Sequence, residues 1–200
     1  MEKLKGFVIY YILVALQLIK YLNGQHVYSV PDVMMFGSND LIYFHVIQPR
    51  KVSYVFKARL AQDFGNLFNI VYNKINLIPV EPPLGCQELQ NKELVSGSIA
   101  LVERGDCSFL SKAKNAEDAG AVGVLIADYD FNNDRVSINM VKDGTDRNVN
   151  IPAGFMLAKD SKHIKDALKE EGMPGAVISI PVNVTTSPEL FMKQPPWSYW

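Results

Sequence analysis

The sequence predicts an α+β fold, a curved mixed β-sheet or open barrel flanked by two helices. Residues 98–130 carry a strand, a helix and a second strand, and residues 151–184 repeat that order. Between residues 41 and 80, segments rich in Val, Ile, Tyr and Phe add further strands, because β-branched and aromatic side chains favour pleated, half-buried surfaces. With 200 residues, 48% of them hydrophobic, the chain is long enough for one domain with a buried core.

Residues 1–24 are predicted to be a secretory signal peptide. Two lysines precede an apolar run at 7–19, and a charged start followed by a short apolar segment is typical of cleaved signals. The run is shorter than the ~20 residues that a membrane-spanning helix needs. We therefore expect cleavage near Gly24 and a mature protein without a membrane span. A retained signal anchor is the alternative.

The rest of the chain divides into three parts. Residues 25–39 contain Pro31 and Gly37 and show no sustained period, so we expect a leader or loop. Residues 40–186 hold the predicted domain. Residues 187–200 form an aromatic tail whose prolines prevent regular structure throughout. We expect this tail to fold back onto the domain, because its aromatic side chains gain from burial; a free, partner-binding tail is the alternative.

Three strands are predicted before the first helix. Leu41–Ile47 and Val52–Leu60 are expected to pair across a turn at 48–51. Ile75–Val80 is a further short strand. Residues 66–73 fit a helical and a strand period equally well, so their state stays open.

The segment 98–130 is predicted to be one βαβ unit. Its strands are Ile99–Val102 and Val122–Ala127, which we expect to run parallel through a right-handed crossover. Ser108 is placed to cap the intervening helix, and Gly120 occupies the position where a left-handed residue ends one. Helical spacing predicts an apolar face of Phe109, Ala113, Ala116 and Ala119, and a polar face of Lys112, Lys114, Asn115, Glu117 and Asp118.

A second strand, helix and strand are predicted in the last third of the chain. Ile151–Leu157 and Ala176–Val184 are the expected strands. Ser161 is placed to cap the helix between them, and Gly172 to end it. The apolar face of this helix is predicted to consist of Ile164, Ala167 and Leu168.

The first βαβ unit resembles the central motif of the protease-associated domain, a non-catalytic module of subtilases, zinc aminopeptidases, sorting receptors and some membrane ubiquitin ligases. The matching residues are Arg104-Gly105, Cys107, Phe109, Lys112, Ala116, Ala119-Gly120-Ala121 and Gly123. The chain also resembles a small secreted glycoprotein of that family at Pro82-Pro83, at 180–185 and at Gln194-Pro195-Pro196-Trp197. The resemblance covers roughly 40–200. It implies the same curved-sheet architecture and the binding of a protein or peptide.

The two cysteines of the chain, Cys86 and Cys107, are expected to form a disulfide. Two cysteines of one domain usually pair in an oxidising secretory compartment. The resemblance implies the same bond, which ties the loop before the βαβ unit to the start of its helix. Two buried free thiols are the alternative.

Asn183 begins the only N-x-[ST] sequon of the sequence, Asn183-Val184-Thr185. We predict an N-linked glycan on Asn183, and the resemblance implies a glycosylated site in this run. The resemblance also implies a second sequon in the loop at 132–135, but Arg135 stands where a hydroxyl residue is required. We therefore expect no glycan in that loop. An unmodified surface asparagine at 183 is the alternative.

Two short motifs have both a functional and a structural interpretation. Arg104-Gly105-Asp106 is the tripeptide that integrins recognise, but a tight strand-to-helix turn explains its glycine without a partner. Residues 128–134 place Asp and Asn oxygens at alternating positions, as an EF-hand calcium loop does. Asn133 then replaces the required glycine, and Asn139 replaces the bidentate glutamate. We expect a turn and a solvated loop, with integrin and calcium binding as alternatives.

The sequence shows no catalytic, metal or cofactor motif. Its three histidines are His26, His45 and His163, and neither H-E-x-x-H nor G-x-S-x-G occurs. A net charge of −1 without a basic cluster gives no electrostatic footprint for nucleic acid. We expect a secreted, non-enzymatic glycoprotein, without a cofactor, that binds a protein or peptide. The alternative is a hydrolase or hydrolase-accessory fragment, suggested by the larger chains that contain the family's domain.

Overall fold

The computed structural model describes residues 40–135, 138–185 and 193–198, and the backbone of residues 27–29. The predicted signal peptide at 1–24, most of the predicted leader and the tail aromatics Phe191, Tyr199 and Trp200 lie outside the described residues. Within the described part of the chain, no helix combines the length and the apolarity needed to cross a bilayer.

The described part of the chain contains eight strands and three α-helices. The strands are β1 (Val27–Ser29), β2 (Leu41–Gln48), β3 (Val55–Leu60), β4 (Ile70–Pro79), β5 (Ile99–Glu103), β6 (Gly123–Ala127), β7 (Ala153–Met156) and β8 (Ala176–Ile180). The helices are α1 (Lys92–Val95), α2 (Phe109–Asp118) and α3 (Ala158–Glu171). The sequence predicted two helices and missed α1, because one turn is too short to show a helical period.

The sheet is a closed barrel. Around it, β4, β5, β6, β7, β3, β2 and β8 are hydrogen-bonded neighbours in that order, and β8 pairs back onto β4. Strand β8 makes the closure, since Ile178 is paired with Val46 of β2 on one side and with Ile75 of β4 on the other. The prediction of an open barrel is therefore wrong, because pairing along both sides of β8 leaves these seven strands without a free edge.

The barrel has a parallel part and an antiparallel part. Strands β4, β5, β6 and β7 run parallel to one another, and α2 provides the predicted crossover between β5 and β6. Strands β2, β3 and β8 are antiparallel to their neighbours. The carboxyl ends of four neighbouring strands therefore meet at one rim of the barrel.

Strand β4 and the segment before it differ from the sequence prediction. The stretch left ambiguous at 66–73 and the short strand predicted at 75–80 contribute to one strand of 10 residues, Ile70–Pro79. Strand β1, which lies in the segment predicted as a loop, pairs antiparallel with the first residues of β4. Both differences arise because cross-strand pairing, and not the local period, decides the state of these residues.

Two layers of buried side chains stabilise the barrel. The inner layer includes Leu101 of β5, Leu125 of β6 and the stacked rings of Phe44 and Phe56, whose centroids are 5.4 Å apart. In the outer layer, Val124 of β6 belongs to the same buried cluster as the buried alanines of α2. Strand β6 is buried along both faces, as its continuous apolar sequence predicted.

Helix α2 begins and ends as predicted but buries one residue of its predicted polar face. The Ser108 hydroxyl accepts a hydrogen bond of 3.0 Å from the backbone N–H of Ser111, and Gly120 has a positive φ of 84°. Lys112, in contrast, is fully buried. The prediction for Lys112 was wrong because a long aliphatic stem can carry the ammonium to acceptors beneath the helix.

Helix α3 differs from its prediction at its start and in its packing. It begins at Ala158, directly after β7, so Ser161 lies buried inside the first turns and does not cap the helix. Its predicted apolar face is buried, but Ile164 and its neighbours join the inner layer of the barrel and not an outer one. Gly172 ends the helix in the left-handed conformation, as predicted.

Candidate functional site

The carboxyl ends of β5 and β6 bring two charged residues together. Arg104 follows β5 and Asp128 follows β6, and these strands are neighbouring and parallel. The backbone N–H of Arg104 donates to the carbonyl of Ala127, and that of Asp128 to the carbonyl of Met156. Loops at this edge of parallel strands are a common place for binding sites, because rigid strands position them.

Arg104 and Asp128 form a partly buried ion pair. One guanidinium nitrogen of Arg104 lies 3.0 Å from Asp128 Oδ1. The Asp128 side chain is 0% exposed, and that of Arg104 is 29% exposed. The other carboxylate oxygen, Oδ2, accepts a hydrogen bond of 2.8 Å from the Asn133 amide. The buried carboxylate of Asp128 therefore holds Arg104 in place, while part of the guanidinium faces solvent.

The hydrogen bonds to Asp128 keep it ionised. Burial alone opposes its ionisation, but hydrogen bonds from Asn133, from Arg104 and from the backbone N–H of Tyr129 outweigh burial, so the pKa of Asp128 lies below its ordinary value. The carboxylate is consequently charged at neutral pH. Its charge fixes the position of Arg104, because the Coulomb attraction across 3.0 Å is stronger in a partly buried site, where the effective dielectric constant is lower than in water.

Aromatic side chains surround the exposed part of Arg104. The guanidinium carbon lies 4.9 Å from the ring centroid of Tyr129 and 5.9 Å from that of Phe109, both within cation–π range. Tyr129 is 61% exposed, and Phe131 on the same loop is 51% exposed. Arg104 and the two exposed rings of the loop after β6, Tyr129 and Phe131, are together called the Arg104 rim.

The Arg104-Gly105-Asp106 turn is tight, as the sequence predicted. Gly105 has a φ of 132° and Asp106 a φ of 59°, both in the region that an L-residue with a side chain rarely adopts. Arg104 is engaged with Asp128, whereas Asp106 is exposed. The two charged groups therefore do not project together from an extended loop, which argues against the integrin interpretation.

The acidic loop at 128–134 is held by its own hydrogen bonds. Asp128 turns inward, and Asp130 accepts a hydrogen bond of 2.9 Å from the backbone N–H of Asn132. Lys159 of α3 pairs with Asp134. Among the residues that the structure describes, no group of three or more His, Cys, Asp and Glu side chains is arranged to hold a metal ion.

Two histidines have structural contacts. In β2, the imidazole of His45 lies 3.2 Å from the Ser53 hydroxyl; burial lowers the pKa of His45, and the charge of Lys193 lowers it further. His163 of α3 stacks on the indole of Trp197, with ring centroids 3.7 Å apart. His26 lies outside the described residues.

The described part of the tail is docked on the barrel. Trp197 Nε1 and Ser198 Oγ each donate a hydrogen bond of 2.9 Å to Asp160 Oδ1, and the carbonyl of Lys193 accepts from the backbone N–H of Val55. Burial raises the pKa of Asp160, and the bonds from Trp197 and Ser198 oppose this. Residues 193–198 thus follow the fold-back prediction.

Cys86 and Cys107 are joined in a disulfide in the structure, with their Cα atoms 5.7 Å apart. Asn183 follows β8 and is half-buried. Its side-chain oxygen accepts hydrogen bonds from the backbone N–H of Thr185, at 3.0 Å, and from the Thr185 hydroxyl, at 2.7 Å. The sequon therefore forms a turn at the end of a strand.

The sequence analysis missed the Arg104–Asp128 pair and the burial of Lys112. The signal for the pair was present, because Arg104 and Asp128 lie within two residues of the ends of two strands predicted to be parallel neighbours. The signal for Lys112 was weaker. Lys112 lies one helical turn after Ser108, near the predicted helix start, where the loop that precedes the βαβ unit can cover its side chain.

Comparison with known proteins identifies the family of this barrel. The model of the PA domain, the protease-associated domain, matches residues 68–164. A PRADC1-like protein of Drosophila melanogaster is 36% identical over 161 residues, which are 80% of this chain and 82% of the relative. The chain therefore belongs to the PA domain family.

Larger proteins share the domain over part of their length. The human ER degradation-enhancing alpha-mannosidase-like protein 3 is 39% identical over 94 residues, which are 45% of this chain but 10% of that protein. The solved structure of an aminopeptidase from Aneurinibacillus sp. strain AM-1 superposes with a TM-score of 0.50 at 20% identity, over 80% of this chain and 34% of the aminopeptidase. This last likeness concerns the fold alone.

Proposed function

We propose that this protein is a secreted glycoprotein that binds a protein or peptide through the Arg104 rim and catalyses no reaction. The observation that carries the proposal is the exposed ring of Tyr129 beside a fixed arginine, with the ring of Phe131 exposed two residues further along the same loop. An aromatic ring and a guanidinium thus share one exposed surface, and exposed apolar surface rimmed by polar groups is typical of contact sites. Tyr and Arg are also the residue types that dominate binding energy at protein interfaces.

The ion pair with Asp128 prepares Arg104 for binding. A free arginine loses rotamer entropy when a ligand immobilises it, by about 0.5–1.5 kcal/mol. Here Asp128 and the ring of Tyr129 already restrict the guanidinium. Its exposed part can still donate to a carboxylate or to main-chain carbonyls of a ligand. The rim therefore suits an extended peptide or an exposed loop that offers acceptors beside an apolar side chain.

Secretion is supported by two features of the chain. The charged and apolar start suits a cleaved signal, and the disulfide suits an oxidising compartment. The name of the human relative, ER degradation-enhancing alpha-mannosidase-like protein 3, refers to the ER, which fits a domain that folds in the secretory pathway.

The proposal of a non-enzymatic protein is supported by the contacts of the described histidines and of two buried aspartates. His45 is engaged with Ser53, and His163 with Trp197. Asp128 and Asp160 each hold a neighbouring side chain in place. The alternative, a hydrolase or hydrolase-accessory fragment, is supported by larger relatives with peptidase names, of which this chain matches a minor part. Peptide turnover by the purified protein that a point substitution abolishes would favour a hydrolase.

Site-specific photocrosslinking tests the binding surface. A photoreactive phenylalanine analogue at Phe131 should crosslink secreted or cell-surface proteins, because that ring is exposed on the rim. The matched control is the same analogue at Leu94, which is exposed at the opposite end of β5 and should give no such product. Arg104→Met should reduce the product at position 131. Equal crosslinking from both positions, unaffected by Arg104→Met, would contradict the assignment.

We predict one N-linked glycan, on Asn183. Enzymatic deglycosylation of the secreted protein should shift its mass by a single glycan, and Asn183→Gln should abolish the shift. Thr185→Ala is the matched variant, because it keeps the asparagine but removes the hydroxyl that bonds to Asn183 Oδ1. A shift that persists in either variant would overturn the site.

A further inference from the structure

Lys112 lies buried directly beside the disulfide. The residue is 0% exposed, in the second turn of α2. Its ammonium donates a hydrogen bond of 2.6 Å to the carbonyl of Leu84 and lies 3.4 Å from Cys86 Sγ. Neither neighbour carries a charge: the Leu84 group is a backbone carbonyl, and Cys86 Sγ is part of the intact disulfide.

The buried ammonium has no directly bonded counter-ion in this state. Burial lowers the pKa of Lys112 below its ordinary value, and the carboxylates of Asp106 and Glu103 oppose this shift through space only. Neither carboxylate forms an ion pair with Lys112 among the described residues. A buried charge without a paired partner is unfavourable, and an anion at one of its neighbours would relieve that cost.

Reduction of the disulfide would supply that anion. Opening the bond with the electron pair on Cys86 would place a thiolate 3.4 Å from the Lys112 ammonium. A neighbouring lysine lowers the pKa of a cysteine thiol and stabilises its thiolate. The same interaction stabilises Cys86 as a leaving group, because thiol–disulfide exchange is faster when the departing thiol has a lower pKa.

We propose that Cys86–Cys107 is a thiol-exchange site at which Cys107 accepts an incoming thiol and Lys112 stabilises Cys86 as the departing thiolate. The thiolate of a small thiol of the glutathione class, or of a protein cysteine, attacks Cys107 Sγ. A new S–S bond forms to Cys107 while the Cys86–Cys107 bond breaks. The electron pair of the broken bond stays on Cys86 Sγ, so the exchange needs no other oxidant or reductant. The proposal does not rest on ligand binding at the Arg104 rim.

The surroundings of the two sulfurs favour attack on Cys107. Lys112 and the Leu84 carbonyl cover Cys86, whereas Cys107 follows exposed Asp106 in the turn before α2. Both cysteines are half-buried. A thiol can therefore approach from the side of the turn, and Cys86 is left facing the ammonium.

The reduction rate of the disulfide tests the proposal in the intact protein. Glutathione at fixed pH should open the bond about threefold more slowly in Lys112→Met than in the wild type, since exchange rates follow thiol pKa with a Brønsted coefficient of about 0.5 and one unit in the pKa of the departing thiol then corresponds to about threefold in rate. Lys112→Arg keeps the charge and should stay close to the wild type. Lys114→Met is the matched control, because Lys114 lies on the same helix but forms its ion pairs with Glu117 and Asp118 of that helix.

A purely structural role for Lys112 predicts the opposite sign. Loss of its bond to Leu84 would loosen the turn, expose the disulfide and speed its reduction in Lys112→Met. Equal or faster reduction would therefore overturn the proposal. A second measurement uses Cys107→Ser, in which the pH dependence of Cys86 alkylation gives the thiol pKa. We expect a midpoint at least about one unit below the ordinary 8.5, and an upward shift when Lys112→Met is added; a midpoint at 8.5 or above that Lys112→Met leaves unchanged would also overturn it.

Discussion

Replacing Cys107 with serine is expected to lower the free energy of unfolding by about 3 kcal/mol. The disulfide closes a loop between positions separated by 21 residues, and closing such a loop removes conformational entropy from the unfolded chain. A loss of this size is a large part of the 5–15 kcal/mol that typically stabilises a domain. Urea unfolding, followed by tryptophan fluorescence, measures it.

The matched variants separate the bond from the side chains. Cys86→Ser should cost about as much as Cys107→Ser, and the double substitution should cost little more than either one, because each removes the same bond. Reduction of the wild type should give a similar loss. A double variant whose loss is the sum of the two single losses would show that the serines act through packing, and a loss below about 1 kcal/mol would contradict the role of the loop.

Replacing Asp128 with alanine is expected to destabilise the protein by about 2–3 kcal/mol. Breaking a fully buried pair typically costs 3–5 kcal/mol, and the partial exposure of Arg104 reduces this figure. The substitution leaves the Arg104 guanidinium and the Asn133 amide without their acceptor. Asp128→Asn, which keeps the shape and removes the charge, should cost less.

The pH dependence of stability gives a separate test of the same carboxylate. Because the pKa of Asp128 is lower in the folded protein than in the unfolded chain, its contribution is fully present above the unfolded value of about 3.9. It is lost as the pH falls through the lower folded pKa. Asp128→Asn should therefore lose less stability than the wild type between pH 4 and more acidic conditions. An identical acid profile in both proteins would contradict the assigned pair.

The local elements of the fold could be predicted because their signals lie within a few residues. The βαβ unit is an example, since Ser108, Gly120 and the apolar run of β6 each specify their own part of it. Barrel closure could not be predicted in the same way. It depends on β8 pairing with both β2 and β4, strands that are about a hundred or more residues away in sequence, and no local period records such a pairing.

The candidate site shows the same limit at the level of side chains. Arg104 and Asp128 are placed by neighbouring strands, so a parallel pairing of β5 and β6 was sufficient to bring them together. Lys112 required knowledge of where the 84–86 loop crosses α2. Helical spacing assigned it to a solvated face, because a lysine's position on a helix does not show where its ammonium ends.

Affinity for a partner identified by crosslinking at Phe131 is the most direct test that the Arg104 rim is a binding surface. We expect Tyr129→Ser combined with Phe131→Ser to weaken that partner's binding at least tenfold, because exposed aromatic anchors contribute most of the energy of an interface. Leu94→Ser, an equally exposed apolar position away from the rim, should leave the affinity unchanged. Unchanged affinity in the double variant, with weakened binding in Leu94→Ser, would contradict the account.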